Sequence, residues 1–337
     1  MIHHKVLAQP SFTAPIKLDP SIARPPSDYS KSIIANSKII LNEVQLELKK
    51  RFSDVLPTDP CFFVTTGSDG RFEKSNYSKV DLLFYFDGQK MDATRIQELT
   101  QRIHTFCVER PDLLSKQSEI KDMGRQRPLY FKTDDGRELF FPTRCLDATF
   151  LFGNNDQFTH YKHKIADITA EEAAQFQNTR LRHAKEVVEK GIQKVHGSTL
   201  CHFDLTKGEL YYSASDVGNL TVRSTKHGHL RGVQYKVSVI IFNALLDKTL
   251  TLEDYDQLPN TTVDRILFLQ KKSILHLDDT QVTKLIDAYH YAIQLYHLSE
   301  MQAIQHCQST LKVNSLEFQN HTQTIKNFLK LKVTHHE

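Results

Sequence analysis

At 337 residues, with 39% hydrophobic and 25% charged side chains, the chain has the length and composition of a soluble globular protein of about two domains. Forty-three basic against forty acidic residues leave a formal charge of +3, which excludes a molecule-wide basic field for nucleic acid or membrane surfaces and makes any electrostatic site local. No apolar run approaches the roughly 18 residues of a membrane span, the N-terminus has no apolar secretory core, and the five scattered cysteines form no C-x-x-C pair, so free thiols in a cytoplasmic setting are expected, whether of the producing cell or of a host entered by a secreted effector. Residues 1–28 carry Pro10, Pro15, Pro20, Pro25 and Pro26 and are read as an arm without periodic structure. From Ser30 to Phe52, Ile33, Ile40, Leu41, Val44, Leu48 and Phe52 recur at helical spacing, and Pro57 and Pro60 close the helix.

The next stretch, Cys61 to Phe86, sets two apolar runs around a polar, glycine-bearing loop. Cys61–Thr65 and Val80–Phe86 are short, β-branched and aromatic, which predicts two strands. Asp81 falls inside the second run, where a buried carboxylate must be paired, hydrogen-bonded or holding a metal. Gly67 and Gly70 suit either close backbone approach or an ordinary turn. Arg71 and Glu73 suit a bidentate pair that stiffens the loop, or a phosphate contact by Arg71. Together Gly67-Ser68, Gly70-Arg71, Glu73, Ser78 and Asp81 resemble the nucleotidyltransferase pattern G-S-x-G-R-x-E, a short gap, then S-D-x-D and an apolar strand. In that superfamily the Gly-Ser pair admits the nucleotide phosphates, and two strand aspartates bind divalent metal for in-line attack on the α-phosphate. This chain has Lys79 where the first aspartate stands. Lys79 and Asp81 are expected on one strand face, with the lysine either meeting a phosphate or closing the site on Asp81.

Asp87-Gly88 then predicts a turn, Ala93 to Val108 a helix, and Leu129–Lys132 with Glu138–Phe141 a hairpin around Asp135-Gly136. This order predicts a small mixed sheet with helices on one face, within residues 29–155. The segment Phe141 to Gly153 looks like the T-x-L-L-D-A-R-x-x-x-G segment of PII uridylyltransferases, with Thr149 at the arginine position. Asp147 suits an active-site role, a helix cap or a local ion pair.

Residues 156–337 are read as a mainly helical domain, with helices over Thr169–His196, Val233–Leu246, Val263–Gln270, Thr280–Gln305 and Leu316–Leu331, and strand-like runs at Cys201–Leu205 and Glu209–Tyr212. Lys226, Gly228, Leu230 and Arg231 are similar to the family's second signature, K-x-G-x-L-R-D-I-E. In relatives its lysine and arginine face the nucleotide, and Gly232 and Gln234 stand at its acidic positions here. Ala288-Tyr289 resembles the helix that packs back on the family's catalytic half. His160, His163, His227 and His229 are dispersed and are read as surface or locally bonded side chains.

The fold class expected is therefore α+β, a small mixed-sheet nucleotidyltransferase domain followed by a helical bundle. The resemblance implies transfer of AMP or UMP from ATP or UTP to a hydroxyl on a protein acceptor, with Mg²⁺ or Mn²⁺ on Asp81. Gly67, Ser68, Gly70, Arg71, Glu73, Ser78, Lys226 and Arg231 would bind the nucleotide, with Asp81 and Lys79 at the reacting end. A nucleotide- or protein-binding module that keeps the fold without transfer is the alternative, motivated by Lys79, Gly232 and Gln234.

Overall fold

In the computed structural model the described residues are 25–332, except 77, 117, 125–128, 133–137, 191, 196–197, 205–208, 213–224 and 306–309. The arm expected over 1–28 lies outside them up to residue 24. Pro26 instead opens helix α1 (Pro26–Arg51), where its missing N–H leaves no helical bond unmade and its fixed φ suits the first turn.

Strand β1 (Cys61–Thr65) buries all five side chains. It is central in a four-stranded sheet of order β3-β2-β1-β6, with β2 at Leu83–Phe86, β3 at Glu119–Asp122 and β6 at Thr149–Gly153. β2 and β6 run antiparallel to β1, and β3 runs parallel to β2. Helix α3 (Ala93–Glu109) links β2 to β3, its N-terminus capped by Asp92 accepting from the Thr94 and Arg95 amides.

The strand period of two distributes β1 and β2 between two cores. Phe62, Val64, Leu83 and Tyr85 face one cluster. Cys61, Phe63, Phe84 and Phe86 face the other, which is completed by Val44 and Leu48 of α1 and by Leu99, Ile103 and Phe106 of α3. Helices on one face only were expected, but both faces are covered. A strand buried on both sides reads as a continuous apolar run, which is how CFFVT reads.

The hairpin forms as β4 (Tyr130–Lys132) and β5 (Glu138–Phe140), and its turn lies outside the described residues. A short helix α4 (Thr143–Leu146) leads into β6, and α5 (Asn155–His163) follows it. The long helix read over Thr169–His196 is instead α6 (Ala170–Phe176), a π-helical turn Gln177–Leu181 and α7 (Arg182–Lys190), after which the chain enters β7 (Ile192–Val195). β7 joins β8 (Ser198–Asp204), β9 (Glu209–Tyr212) and β10 (Thr310–Lys312) in an antiparallel sheet of order β10-β9-β8-β7.

A second π-helical segment, Thr225–Leu230, leads into α8 (Arg231–Leu246), followed by α9 (Leu252–Asp256), α10 (Thr262–Lys271), α11 (Asp279–Gln305) and α12 (Ser315–Lys330). One apolar cluster crosses the position expected for a boundary near residue 155, running from Phe62 and Tyr85 through Tyr161 to Val233, Phe242 and Tyr289. Among the described residues no helix is long and apolar enough to cross a membrane.

Candidate functional site

The loop after β1 begins as one short turn, α2 (Gly67–Gly70), with Thr66 extended before it. Gly67 has φ +65° with open space around its missing side chain, so the conformation itself demands glycine there. Gly70 is required for a different reason. A Cβ there would lie 1.8 Å from the Asp147 carbonyl oxygen, so Gly70 lets the loop rest on the backbone of Asp147 and takes no place in the cleft wall.

Arg71 and Glu73 then enter a buried network. The Arg71 Nε donates to Glu73 Oε2 at 2.9 Å, and its Nη1 donates to Asp147 Oδ2. Arg265 on α10 donates from Nη1 to Asp147 Oδ1 at 2.6 Å, from Nη2 to the Leu146 carbonyl at 3.2 Å and from Nε to the Pro259 carbonyl at 2.8 Å. Glu73 is closed from the other side by the Thr262 amide at 2.8 Å, the Tyr289 hydroxyl at 2.7 Å and the Gln234 amide at 3.2 Å. Two arginines thus face two carboxylates, and nearly every polar atom is satisfied, as buried ions require. Burial opposes the charge on Arg71, yet Asp147 and Glu73 together hold its pKa above the ordinary guanidinium value.

This network forms the floor of a cleft of about 200 Å³. Thr66, Gly67, Ser68 and Asp81 line one wall, and Lys226, Arg231, Gln234 and Tyr296 line another. The two sequence signatures, 145 positions apart from Asp81 to Lys226, therefore meet in one cavity. Lys226 packs its ammonium 5.2 Å from the Tyr296 ring centre. Its pKa is lowered, chiefly by burial and then by Arg231, with Glu300 and Asp81 acting the other way.

Asp81 is exposed, because β2 begins only at Leu83, and its Oδ1 accepts from the Ser115 hydroxyl at 2.6 Å. Lys79 departs from expectation. It is exposed, donates to the Asp112 carbonyl at 2.8 Å, does not line the cleft, and among the described residues makes no ion pair with Asp81. With both residues ahead of the regular strand, the period-two argument that put them on one face does not apply. Ser78 also stays out of the cleft wall. Its carbonyl accepts from buried Lys74, and its hydroxyl lies 3.1 Å from that of Ser75.

Asp69 was not singled out by sequence. It is 3% exposed, its Oδ1 has no hydrogen-bond partner among the described residues, and its Oδ2 accepts only from the Asp81 amide at 3.4 Å. Burial drives its pKa up to about 7, with the Asp81 charge adding to the rise and Lys74 and Lys226 opposing it. Arg265, Thr262 and Tyr296 were missed as well, since nothing local marks them. Tyr289 does reach back to the loop, through its hydrogen bond to Glu73. Asp147 ends α4 and pairs with both arginines while lining the same cleft as Asp81. Gln234 needs no charge, because Glu73 already supplies the carboxylate at that point and an acid there would repel it.

Among the described residues no group of three or more His, Cys, Asp or Glu could hold a metal ion. A cage made by the protein alone therefore does not fit. One exposed carboxylate facing a cleft does fit a magnesium ion whose remaining ligands come from water and substrate phosphates. No protein-family model matches the chain, and no curated protein matches it.

Proposed function

We propose that this chain is a nucleotide-binding protein of the nucleotidyltransferase type, transferring AMP or UMP from a triphosphate to a hydroxyl of a protein acceptor. The observation that carries the reading is the convergence of Gly67-Ser68, Asp81, Lys226 and Arg231 on one cleft above the Arg71–Asp147–Arg265 network. Backbone at a glycine turn can approach phosphates closely, and Lys226 and Arg231 supply the cationic wall that phosphate oxygens need. The ion network lines the cleft with its charges already paired to one another. It fixes the loop, so that Gly67 and Ser68 keep their place in the cleft lining without rearranging when a ligand arrives. Asp81 would hold an Mg²⁺ or Mn²⁺ ion delivered with the triphosphate, and that ion would neutralise phosphate charge. In the transfer, the acceptor oxygen bonds to the α-phosphorus as pyrophosphate leaves, and the hydroxyl proton departs to solvent or to an exposed carboxylate.

A second reading, binding without transfer, is favoured by Lys79, which stands at the other metal position and turns to the Asp112 carbonyl. One experiment separates the two. Purified protein is incubated with α-labelled ATP or UTP, Mg²⁺ or Mn²⁺, and a cell lysate. Label on a protein band that disappears with Asp81→Asn supports transfer. Nucleotide binding by calorimetry with no labelled band supports the second reading, and absence of both removes the proposal.

A further inference from the structure

We infer that a second cavity, on the opposite face of α8 from the cleft, binds a small carboxylate with an aliphatic body, anchored by Lys236. This inference is independent of the function proposed above. α8 turns Arg231, Gln234 and Ser238 toward the cleft and Lys236, Ile240, Asn243 and Asp247 toward the other side, as the 3.6-residue period requires. The second cavity has a volume of about 410 Å³, twice that of the cleft, and is closed by the ends of α10 and α12.

The anchor is a lysine whose charge is not balanced. Lys236 is 3% exposed, and among the described residues its ammonium donates only to the Leu331 carbonyl and meets no carboxylate. Buried charges are ordinarily paired, because an isolated ammonium loses hydration that a single carbonyl does not replace. The one acid lining this cavity, Asp247, caps the C-terminal end of α8 eleven residues on, about 16 Å at the helical rise. Burial, and after it the charge of another cation, Lys185, lowers the Lys236 pKa to about 8. Asn243, two helical turns from the lysine, is 4% exposed, and its Nδ2 has no hydrogen-bond partner among the described residues. Two under-used donors therefore border a space whose apolar lining comes from Ile240, Leu275 and Leu331 and whose rim carries two further cations, Lys272 and Lys332. An acceptor-bearing anion with an apolar tail completes both sets of contacts, and an amine or a neutral hydrocarbon completes only one.

Sodium hexanoate is the probe, with hexanol as the uncharged control and acetate as the headgroup without the tail. Titration of the intact protein, followed by calorimetry and by the methyl NMR signals of Ile240 and Ile274, should show saturable binding of hexanoate and much weaker binding of both controls. Lys236→Met keeps the unbranched stem and removes the charge. It should weaken hexanoate binding about tenfold or more, as expected for losing one charge-assisted hydrogen bond. Asn243→Asp adds a charge of the ligand's own sign without altering the lysine and should weaken binding as well, which keeps the test open if Lys236→Met does not fold. Equal binding of hexanol and hexanoate, unchanged affinity in both variants, or no binding at all would overturn the inference.

Discussion

At the scale of single residues, the candidate site separates side chains that hold the fold from those that face a ligand. Asp147 and Glu73 are buried and paired with arginine, so removing one arginine leaves the buried network with an uncompensated negative charge. Arg265→Met should cost about 3–5 kcal/mol, as is usual when a buried ion pair is broken from one side, read as a lower urea midpoint with unchanged slope. Asp81→Asn should change stability by no more than about 0.5 kcal/mol, since the group is exposed, while abolishing metal-dependent nucleotide binding. A large stability loss in Asp81→Asn would mean that the residue is structural. Asp81 was legible because a carboxylate interrupts an apolar run, although the reason it is tolerated proved to be exposure rather than pairing. Arg265 was not legible, because its partner Asp147 lies 118 positions away and no local pattern encodes that distance. Asp69 was hidden differently: in a loop of small polar residues an acid looks solvated, and only the packed structure makes it 3% exposed.

At the scale of elements, periodicity revealed what is regular and missed what depends on a neighbour. β1, β2, α1, α3 and the hairpin follow from apolar spacing and turn residues. β3 reads Glu-Ile-Lys-Asp, is only partly buried at every position, and owes its existence to parallel pairing with β2 at the sheet edge, a long-range event that composition cannot announce. The second signature offers a sharper test of an element. Its lysine sits on a π-helical segment, a geometry often found where a helix serves a site, and this segment packs on α7 through Gly228. A Cβ at position 228 would come within 2.8 Å of Val187 Cγ1 and 3.3 Å of Val188 Cγ2. Gly228→Ala should therefore push the segment off α7, cost about 1–3 kcal/mol as an overpacked contact, and weaken ATP or UTP binding by moving Lys226 and Arg231 together. The companion change Val187→Ala should restore part of the affinity in the double variant. Additive losses would show that position 228 acts on its own and not through this packing.

At the scale of the whole molecule, buried titratable groups set opposing pH dependences. His297, which shares a hydrogen bond with Tyr29 of α1, has its pKa lowered to about 3 by burial and by Lys226. His229 is lowered to about 4 by burial and by Lys326, and His290 and His321 are displaced in the same direction. A base depressed in the folded state contributes stability that is complete above its unfolded pKa, about 6.5, and is lost as pH falls toward the folded value. Asp69 works the other way. Its folded pKa of about 7 exceeds the ordinary carboxylate value of 3.8, so the folded state holds the extra proton. The associated stability is complete at low pH, declines once the unfolded chain loses that proton, and is gone when pH has risen through 7. The buried lysines Lys121, Lys162 and Lys236, each lowered to about 8, stay largely protonated below that pH and add little slope. Several histidines outweigh one aspartate, so urea midpoints should climb from about pH 4 to about pH 6.5 and level off by about pH 7. In Asp69→Asn the climb should steepen by up to about 1.4 kcal/mol per pH unit, the weight of one proton, because the neutral amide has no proton to lose. Midpoints that fall from pH 4 to 6 would mean the histidines are charged in the fold, and an unchanged climb in Asp69→Asn would mean that buried Asp69 is ionised well below neutral pH.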